Sequence, residues 1–186
     1  MKRGSKGLGA TRFFFWLAMA AAAAAGQEDR LAVGLRTGFS ATSYDDKFYQ
    51  TDIFCSWDLP HHGPWYFENS SGWYLQSRLT GSAGWLIGQH QGAFVGTMGV
   101  SFLAGQHDFP LYLDFGSSPT LLSRDEFGTT DFGIPFQFTT YGGIYFRLNQ
   151  RVSIGYRFQH MSNAGLKANV DNPGLDLHVV GMSYHF

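Results

Sequence analysis

The sequence predicts an all-β fold: an eight-stranded antiparallel transmembrane β-barrel that follows an N-terminal signal peptide. One observation is the period-two alternation of apolar and polar side chains, which dominates the chain after Arg30, where convincing helical periodicity is absent. Another is the composition, which combines 24 glycines and 17% aromatic residues with a mean hydropathy of -0.14. Because alternation hides a lipid-facing surface from any average, this ordinary hydropathy is compatible with a membrane barrel. A helical membrane protein is excluded, because no apolar run of about 18 residues follows the N-terminal segment.

An N-terminal targeting segment is predicted at residues 1–26, which leaves 27–186 as a single barrel domain. Four basic residues precede an apolar run at 13–19, and an alanine tract with small residues near Ala25 follows, as in secretory signal peptides. An N-terminal membrane anchor is the alternative. Cleavage would remove four of the 13 basic residues and none of the 14 acidic residues, so the net charge would be 9 minus 14, or -5. This acidic balance argues against a nucleic-acid partner, and the single Cys55 excludes an internal disulfide.

Eight segments with the periodicity of a strand follow one another, separated by turn-forming residues. In chain order, we expect strands at residues 31–40, 48–57, 72–86, 92–104, 111–115, 134–148, 151–160 and 175–186. Turns or loops rich in Gly, Pro, His, Ser and Asn are predicted at residues 60–64, 88–92, 116–119 and 149–150. Eight is the smallest strand number of the closed barrels found in outer membranes.

The two faces of these strands distinguish a membrane barrel from a soluble barrel. In the seventh strand, the apolar face carries Val152, Ile154, Tyr156 and Phe158. The opposite faces of the strands are small or polar, and they also carry the charged residues Asp52, Arg78, Arg147 and Arg157. A soluble, lipocalin-like barrel, which is the alternative, would enclose its apolar face, whereas a membrane barrel turns that face to lipid and packs a polar network within. Charged residues on the small, polar faces favour the membrane arrangement.

The strand ends and the chain terminus support the membrane barrel and suggest its orientation. Aromatic residues gather near strand ends, as the interfacial girdles of such barrels do: Trp57, Trp65, Trp73, Tyr74 and Trp85. The terminal Phe186 resembles the assembly signal of bacterial outer-membrane proteins. If the N-terminus is periplasmic, odd-numbered strands run outward, so residues 161–174 between strands seven and eight lie on the outer surface.

Three residues beside that outer segment form a predicted catalytic triad. His160 and Ser162 are two residues apart, so in extended backbone they project from one side with Cα atoms roughly 6.6 Å apart. Both continue the lipid-facing series of strand seven, and Asp176 belongs to the lipid-facing series of strand eight. If the two strands pair with position sums near 336, Asp176 lies opposite His160 and can hold an imidazole N–H. Asp176, His160 and Ser162 then have the roles of the acid, base and nucleophile of a serine hydrolase, and Ser162 attacks an acyl carbon.

This segment resembles the hallmark of the lipid A 3-O-deacylase (PagL) family, which is His-x-Ser-Asn-Ala-Gly-Leu-Lys, a short loop, then Asn-x-Gly and an acidic residue two positions on. Residues 160–167 match the first half, and Asn172, Gly174 and Asp176 match the second. The family pattern has Glu where this chain has Asp176, and its loop is shorter. The resemblance implies an outer-membrane esterase that removes the ester-linked 3-hydroxyacyl chain at position 3 of lipid A, with its active site towards the outer leaflet.

The same resemblance suggests which residues surround the triad. Asn163, Ala164, Gly165 and Asn172 are expected to stabilise the oxyanion or support the site, with the Asn163 side chain and the backbone N–H groups near Ala164 and Gly165 as donors. In the alternative, Asn163 and Gly165 only shape a turn. Asp171 is a competing acid.

The remaining predictions concern cofactors, metal ligands, binding partners and alternative functions. A serine hydrolase needs no cofactor, and the paired His61 and His62 are interpreted as part of a solvated loop rather than as metal ligands. The expected partners are lipid A in lipopolysaccharide and the outer membrane, and a homodimer is left open. Two other functions stay open: a non-enzymatic barrel that acts as an adhesin or structural envelope protein, and an esterase that acts on phospholipids.

Overall fold

The computed structural model describes residues 31–41, 47–60, 65–166 and 174–186, and the predicted signal peptide lies outside them. Eight long strands make up the described fold: β1 (Leu31–Ser40), β2 (Phe48–Asp58), β3 (Trp73–Gly88), β4 (Gln91–Gln106), β5 (Leu111–Leu122), β6 (Phe136–Arg147), β7 (Val152–Ser162) and β8 (Leu175–His185). Each strand pairs with the next along the chain, and β8 pairs with β1, which closes the barrel. The predicted eight-stranded antiparallel barrel is therefore confirmed. Within the described ranges, no helix has the length and apolarity needed to cross a membrane.

One predicted turn is a strand instead, because β5 continues through residues 116–119 as far as Leu122. Glycine, serine and proline at these positions are typical of a turn, but here they keep the in-and-out alternation of the strand. Pro119 pairs with Phe138 on β6, while the ladder to β4 is interrupted opposite Pro119. Proline has no N–H to donate, so it is tolerated in a strand where one ladder is broken.

The predicted loop at 88–92 is a tight hairpin whose two central residues are Gln89 and His90. Their φ angles are 49° and 60°. Positive φ at both central residues is the type I′ turn, which matches the right-handed twist of the flanking strands. Consequently β3 and β4 extend further than predicted, and Gly88 pairs with Gln91.

The barrel has a polar interior and an apolar exterior, as the alternation predicts. Arg36 and Asp52 form a buried ion pair in the lumen, with 2.6 Å between Nη2 and Oδ1. Arg78 and Arg157 are also buried in the lumen. On the outside, large apolar side chains are exposed around the wall, among them Leu35, Ile53, Leu113, Ile144, Ile154, Val180 and Met182. This is the inverted pattern of a barrel that meets lipid, so the soluble, lipocalin-like arrangement does not apply.

The end of the lumen near Ser162 is filled by an apolar cluster, which the sequence did not predict. Phe127 and Phe132 come from the connection between β5 and β6, and they pack in the barrel mouth against Phe48, with ring centroids 5.5 and 5.8 Å from it. Met161 on β7 and Leu177 on β8 belong to the same buried cluster. The inward residues beside the predicted triad are therefore firmly packed, which holds the outward residues of the same strands in place.

Candidate active site

The pairing of β7 with β8 brings two of the predicted triad residues together. The register has the predicted position sum of 336, and His160 lies directly opposite Asp176. The side chains meet across the lipid-facing surface, where His160 Nδ1 is 2.7 Å from Asp176 Oδ1. The shorter aspartate side chain therefore reaches the imidazole. About half of the imidazole surface is exposed (50%), against 29% of the carboxylate, so this pair is open to a ligand on the outside of the barrel.

The hydrogen bond to Asp176 determines which imidazole nitrogen can act as a base. An ionised carboxylate only accepts hydrogen bonds, so Nδ1 of a neutral His160 carries the proton and donates it to Asp176. Nε2 then has a free lone pair. This tautomer is the one that a general base needs when the nucleophile lies on the other side of the ring.

Ser162 is the last residue of β7 and lies on the same face as His160, one step nearer the end of the strand. It is partly buried and pairs with Phe138 on β6. Among the described residues, its hydroxyl makes no hydrogen bond to the imidazole. Such contacts are often loose in a resting enzyme and tighten when substrate binds. The arrangement supplies an acid, an oriented base and a nearby hydroxyl on the exterior wall.

Gly174 lies beside the Cε1–Nε2 edge of the His160 imidazole. Its φ angle is +60°, a conformation that favours glycine. A Cβ atom added to Gly174 would lie 2.8 Å from His160 Cε1 and 3.5 Å from Nε2. The backbone at Gly174 therefore packs against the ring, which explains why this position in the motif needs a residue without a side chain.

Replacing Gly174 with alanine is expected to lower turnover by roughly tenfold to a hundredfold, because the new methyl group displaces the imidazole from Asp176. The measurement is kcat for ester hydrolysis in detergent micelles. Gly72→Ala is the matched control, since Gly72 also has a positive φ of 75° but has only side-chain atoms 3.9 Å away from an added Cβ. Equal activity of the two variants would mean that Gly174 does not position His160.

The Asn163 side chain does not point to the triad. Asn163 is fully buried, its Nδ2 donates to the Phe132 carbonyl at 3.0 Å, and its Oδ1 accepts from the Gly165 N–H at 2.8 Å. Together with positive φ at Ala164 (52°) and Gly165 (74°), these bonds shape the turn after β7 and tie it to the β5–β6 connection. The geometry thus directs the amide into the lumen, because residue 163 has the opposite parity to Ser162.

Several predicted residues stand apart from the triad or lie outside the described part of the chain. Asn172, Asp171 and the His61–His62 pair fall outside the described residues. His178 is engaged in a different contact, since its Nδ1 is 2.7 Å from the Tyr156 hydroxyl. In the part of the chain that the structure covers, no group of three or more His, Cys, Asp or Glu side chains is arranged to hold a metal ion.

Two hydroxyl residues that the sequence analysis missed lie beside His160 on the neighbouring strands. Thr140 on β6 lies directly opposite His160, and Ser117 on β5 lies directly opposite Thr140. Thr140 could have been noticed as a polar residue within the lipid-facing series of its strand. Its place beside His160, however, depends on the register between β6 and β7.

Comparisons with known proteins identify the family of the chain and agree with its fold. The family model described as "Lipid A 3-O-deacylase (PagL)" matches residues 51–185. The chain is 37% identical over 75 residues to "Lipid A deacylase PagL" of Bordetella bronchiseptica, an alignment that covers 40% of this chain and 41% of the relative. The chain thus spans about two fifths of the length of this curated relative.

Solved structures resemble the barrel as a whole. The crystal structure of the outer membrane enzyme PagL superposes with a TM-score of 0.65 at 19% identity, covering 81% of this chain and 97% of that chain. The N-terminal β-barrel domain of Pseudomonas aeruginosa OprF has a TM-score of 0.51 at 10% identity, covering 86% of this chain and 100% of that domain. At these identities, the similarity concerns the fold.

Proposed function

Because the chain belongs to the lipid A 3-O-deacylase (PagL) family, we propose that it is an outer-membrane serine esterase that hydrolyses the 3-O-linked 3-hydroxyacyl chain of lipid A. The observation that carries this proposal is the 2.7 Å contact between His160 Nδ1 and Asp176 Oδ1 on the lipid-facing wall, with Ser162 on the same face. A polar dyad on that surface costs free energy unless it has a use, because a charged group facing lipid is destabilising.

In the proposed reaction, Ser162 Oγ attacks the ester carbonyl carbon while His160 Nε2 takes the hydroxyl proton. The tetrahedral intermediate collapses, the bond between the carbonyl carbon and the sugar oxygen breaks, and His160 returns the proton to that oxygen. A water molecule then attacks the acyl-enzyme by the same route and releases a fatty acid. Asp176 keeps the imidazole in its reactive tautomer and stabilises the imidazolium that forms.

The oxyanion of the tetrahedral intermediate needs at least one donor near Ser162. Of the predicted donors, the Asn163 amide and the Gly165 N–H already have partners. We therefore assign the Ala164 N–H to the oxyanion, since Ala164 is exposed and follows the nucleophile by two positions. Asn172 is the proposed second donor. One such donor is typically worth about 2.7–4 kcal/mol of barrier.

Lipid A is the proposed substrate because of where the triad lies on the wall. Ser162 ends β7 at one end of the barrel, whereas Leu31 and Phe186 lie at the other end. If both chain termini are periplasmic, the triad meets the outer leaflet, which in Gram-negative bacteria is lipid A. A phospholipid esterase would find less substrate there, and an adhesin or structural barrel would have no need of the dyad.

Mass spectrometry of lipid A tests the proposal. After expression in a Gram-negative host whose lipid A carries a 3-O-linked acyl chain, we expect a species that lacks one 3-hydroxyacyl group. Cells with an empty vector are the control. An unchanged spectrum with folded protein in the outer membrane would contradict the proposed activity, and fatty acid released from phospholipids instead would favour the phospholipid esterase.

A further inference from the structure

The connection between β5 and β6 spans the mouth of the barrel, at the end of the lumen near Ser162. Because each strand pairs with the next around the wall, the β3–β4 hairpin and the β7–β8 connection lie four strand positions apart, on opposite sides of the barrel. Side chains from both sides bond to residues of the β5–β6 connection. The turn that follows Ser162 is thereby joined to the opposite wall.

The carbonyl of Phe132 is the contact on the side of the triad. It accepts hydrogen bonds from Asn163 Nδ2 at 3.0 Å and from Gln137 Nε2 at 3.3 Å. Asn163 Oδ1 in turn accepts from the Gly165 N–H at 2.8 Å. Ala164 and Gly165 both have positive φ, which is unfavourable for a residue with a side chain such as alanine. The two bonds of the Asn163 amide therefore hold the turn that presents the Ala164 N–H.

Gln89 is the contact on the far side of the mouth, where it bonds to a short hairpin at residues 126–131. Its Oε1 accepts from the Thr129 N–H at 2.7 Å, and its Nε2 donates to Thr129 Oγ1 at 3.0 Å. Gly128 has a φ angle of +58°, and a Cβ atom added there would overlap with Gln89 Oε1. The missing side chain at Gly128 therefore leaves the space that the Gln89 amide occupies.

Two buried phenylalanines join these two sides. Phe127 and Phe132 are fully buried, their ring centroids are 5.8 Å apart, and the Phe132 N–H donates to the Asp125 carbonyl at 2.9 Å. Apolar packing is non-directional, so it keeps the hairpin in the mouth without fixing its orientation. A hydrogen bond, in contrast, weakens steeply as its angle departs from linearity. The bonds to Gln89 are the directional contacts at the tip of the hairpin.

We propose that the β5–β6 connection is a strut across the mouth and that Gln89 is a positioning residue for the hydrolysis. By fixing the hairpin, Gln89 directs the Phe132 carbonyl towards Asn163, and Asn163 keeps the Ala164 N–H aimed at the oxyanion. This inference rests on the function proposed above. It gives the buried Asn163 amide a part in the reaction without contact to the substrate, and it makes the opposite wall part of the catalytic machinery.

Gln89→Ala tests the strut in the purified full chain, in detergent micelles with a synthetic ester as substrate. We expect kcat to fall roughly tenfold, because a misplacement of about 1 Å at a reacting centre can cost up to about 100-fold in rate. KM and the shape of the pH profile of kcat should stay unchanged, since Gln89 contacts neither the substrate nor the His160–Asp176 pair.

Two further variants make this result specific to the Gln89 bonds. Gln89→Glu should restore most of kcat, because a carboxylate still accepts from the Thr129 N–H and can accept from the Thr129 hydroxyl. His90→Ala is the matched control and should keep wild-type kcat. His90 has a positive φ of 60° in the same turn, and its side chain is exposed.

A double-mutant cycle with Asn163→Asp tests whether Gln89 acts through Asn163. Aspartate still accepts from the Gly165 N–H but cannot donate to the Phe132 carbonyl, so kcat should fall roughly 100-fold. Adding Gln89→Ala should then lower kcat by no more than about twofold, whereas residues that act independently would multiply their effects.

Thermal unfolding followed by circular dichroism separates positioning from stability, and every variant is assayed well below its unfolding temperature. An unchanged kcat of Gln89→Ala, an equal loss in His90→Ala, or multiplied effects in the cycle would overturn the strut while leaving the proposed function intact. Failure of Gln89→Ala to fold would also overturn it, because Gln89 would then be a requirement of folding. A wild type that releases no acyl chain from ester or lipid A would overturn both proposals.

Discussion

Ser162→Ala is expected to abolish acyl release, lowering kcat by roughly 10⁴-fold or more, as removal of the nucleophile does in serine hydrolases. Alanine leaves the backbone and the packing at the end of β7 unchanged, because the lost oxygen faces the lipid side and bonds to no described residue. The imidazole and Asp176 would stay in place without a group to attack the ester. The effect should therefore appear in kcat, with the affinity for micellar substrate nearly unchanged.

Two measurements make this result specific. The circular dichroism spectrum of the refolded variant should match that of the wild type, which shows that the barrel forms. Ser71→Ala is the control, since Ser71 is exposed at the other end of the barrel. If Ser162→Ala kept more than a few per cent of wild-type turnover, the acyl-enzyme mechanism would fail, and a water molecule activated by His160 would become the better hypothesis.

The contact between His160 and Asp176 could be foreseen because both residues lie within one hairpin. Strand parity assigns His160, Ser162 and Asp176 to a single face, since a period of two leaves only one choice once the apolar series is recognised. The register between β7 and β8 then follows from placing the end of the chain beside the preceding turn. The hydrogen bond between His160 and Asp176 is the local consequence of these two facts.

The filling of the barrel mouth could not be foreseen in the same way. Phe127 and Phe132 lie in a connection without periodicity, so no pattern shows that they turn into the lumen. The bond from Asn163 to the Phe132 carbonyl joins residues 31 positions apart, and it exists only once the barrel has closed. The family resemblance suggests this amide as a donor to the oxyanion, whereas in the folded chain the amide holds a loop.

Residues 116–119 belong to strand β5, although the sequence predicts a turn there. Their composition is that of a turn, and local propensity is a weak guide when both neighbouring strands are already in place. Pairing with β6 keeps the segment extended and thereby brings Ser117 opposite Thr140. The turn predicted here concealed the position of Ser117 opposite Thr140, so the wrong strand boundary and the missed Ser117 have one cause.

Asp176→Asn is expected to reduce kcat by roughly 10³- to 10⁴-fold, as replacing the triad acid by its amide does in serine proteases. The asparagine amide can donate to Nδ1, which would shift the imidazole proton to Nε2. Nε2, which is proposed to take the proton of Ser162, could then no longer accept it. Because Asp176 is the acid that contacts His160 at 2.7 Å, the loss should exceed that caused by any other described carboxylate.

Asp176→Glu distinguishes a need for the carboxylate from a need for this side-chain length. Glutamate keeps the negative charge and is the residue of the family pattern, so we expect it to retain much of the wild-type turnover, whereas Asp176→Asn does not. Glu126→Gln, at an exposed carboxylate in the β5–β6 connection, is the neutral control. Near-wild-type turnover of Asp176→Asn would remove Asp176 from the triad and make Asp171 the acid to test next, because it is the remaining carboxylate in the connection between β7 and β8.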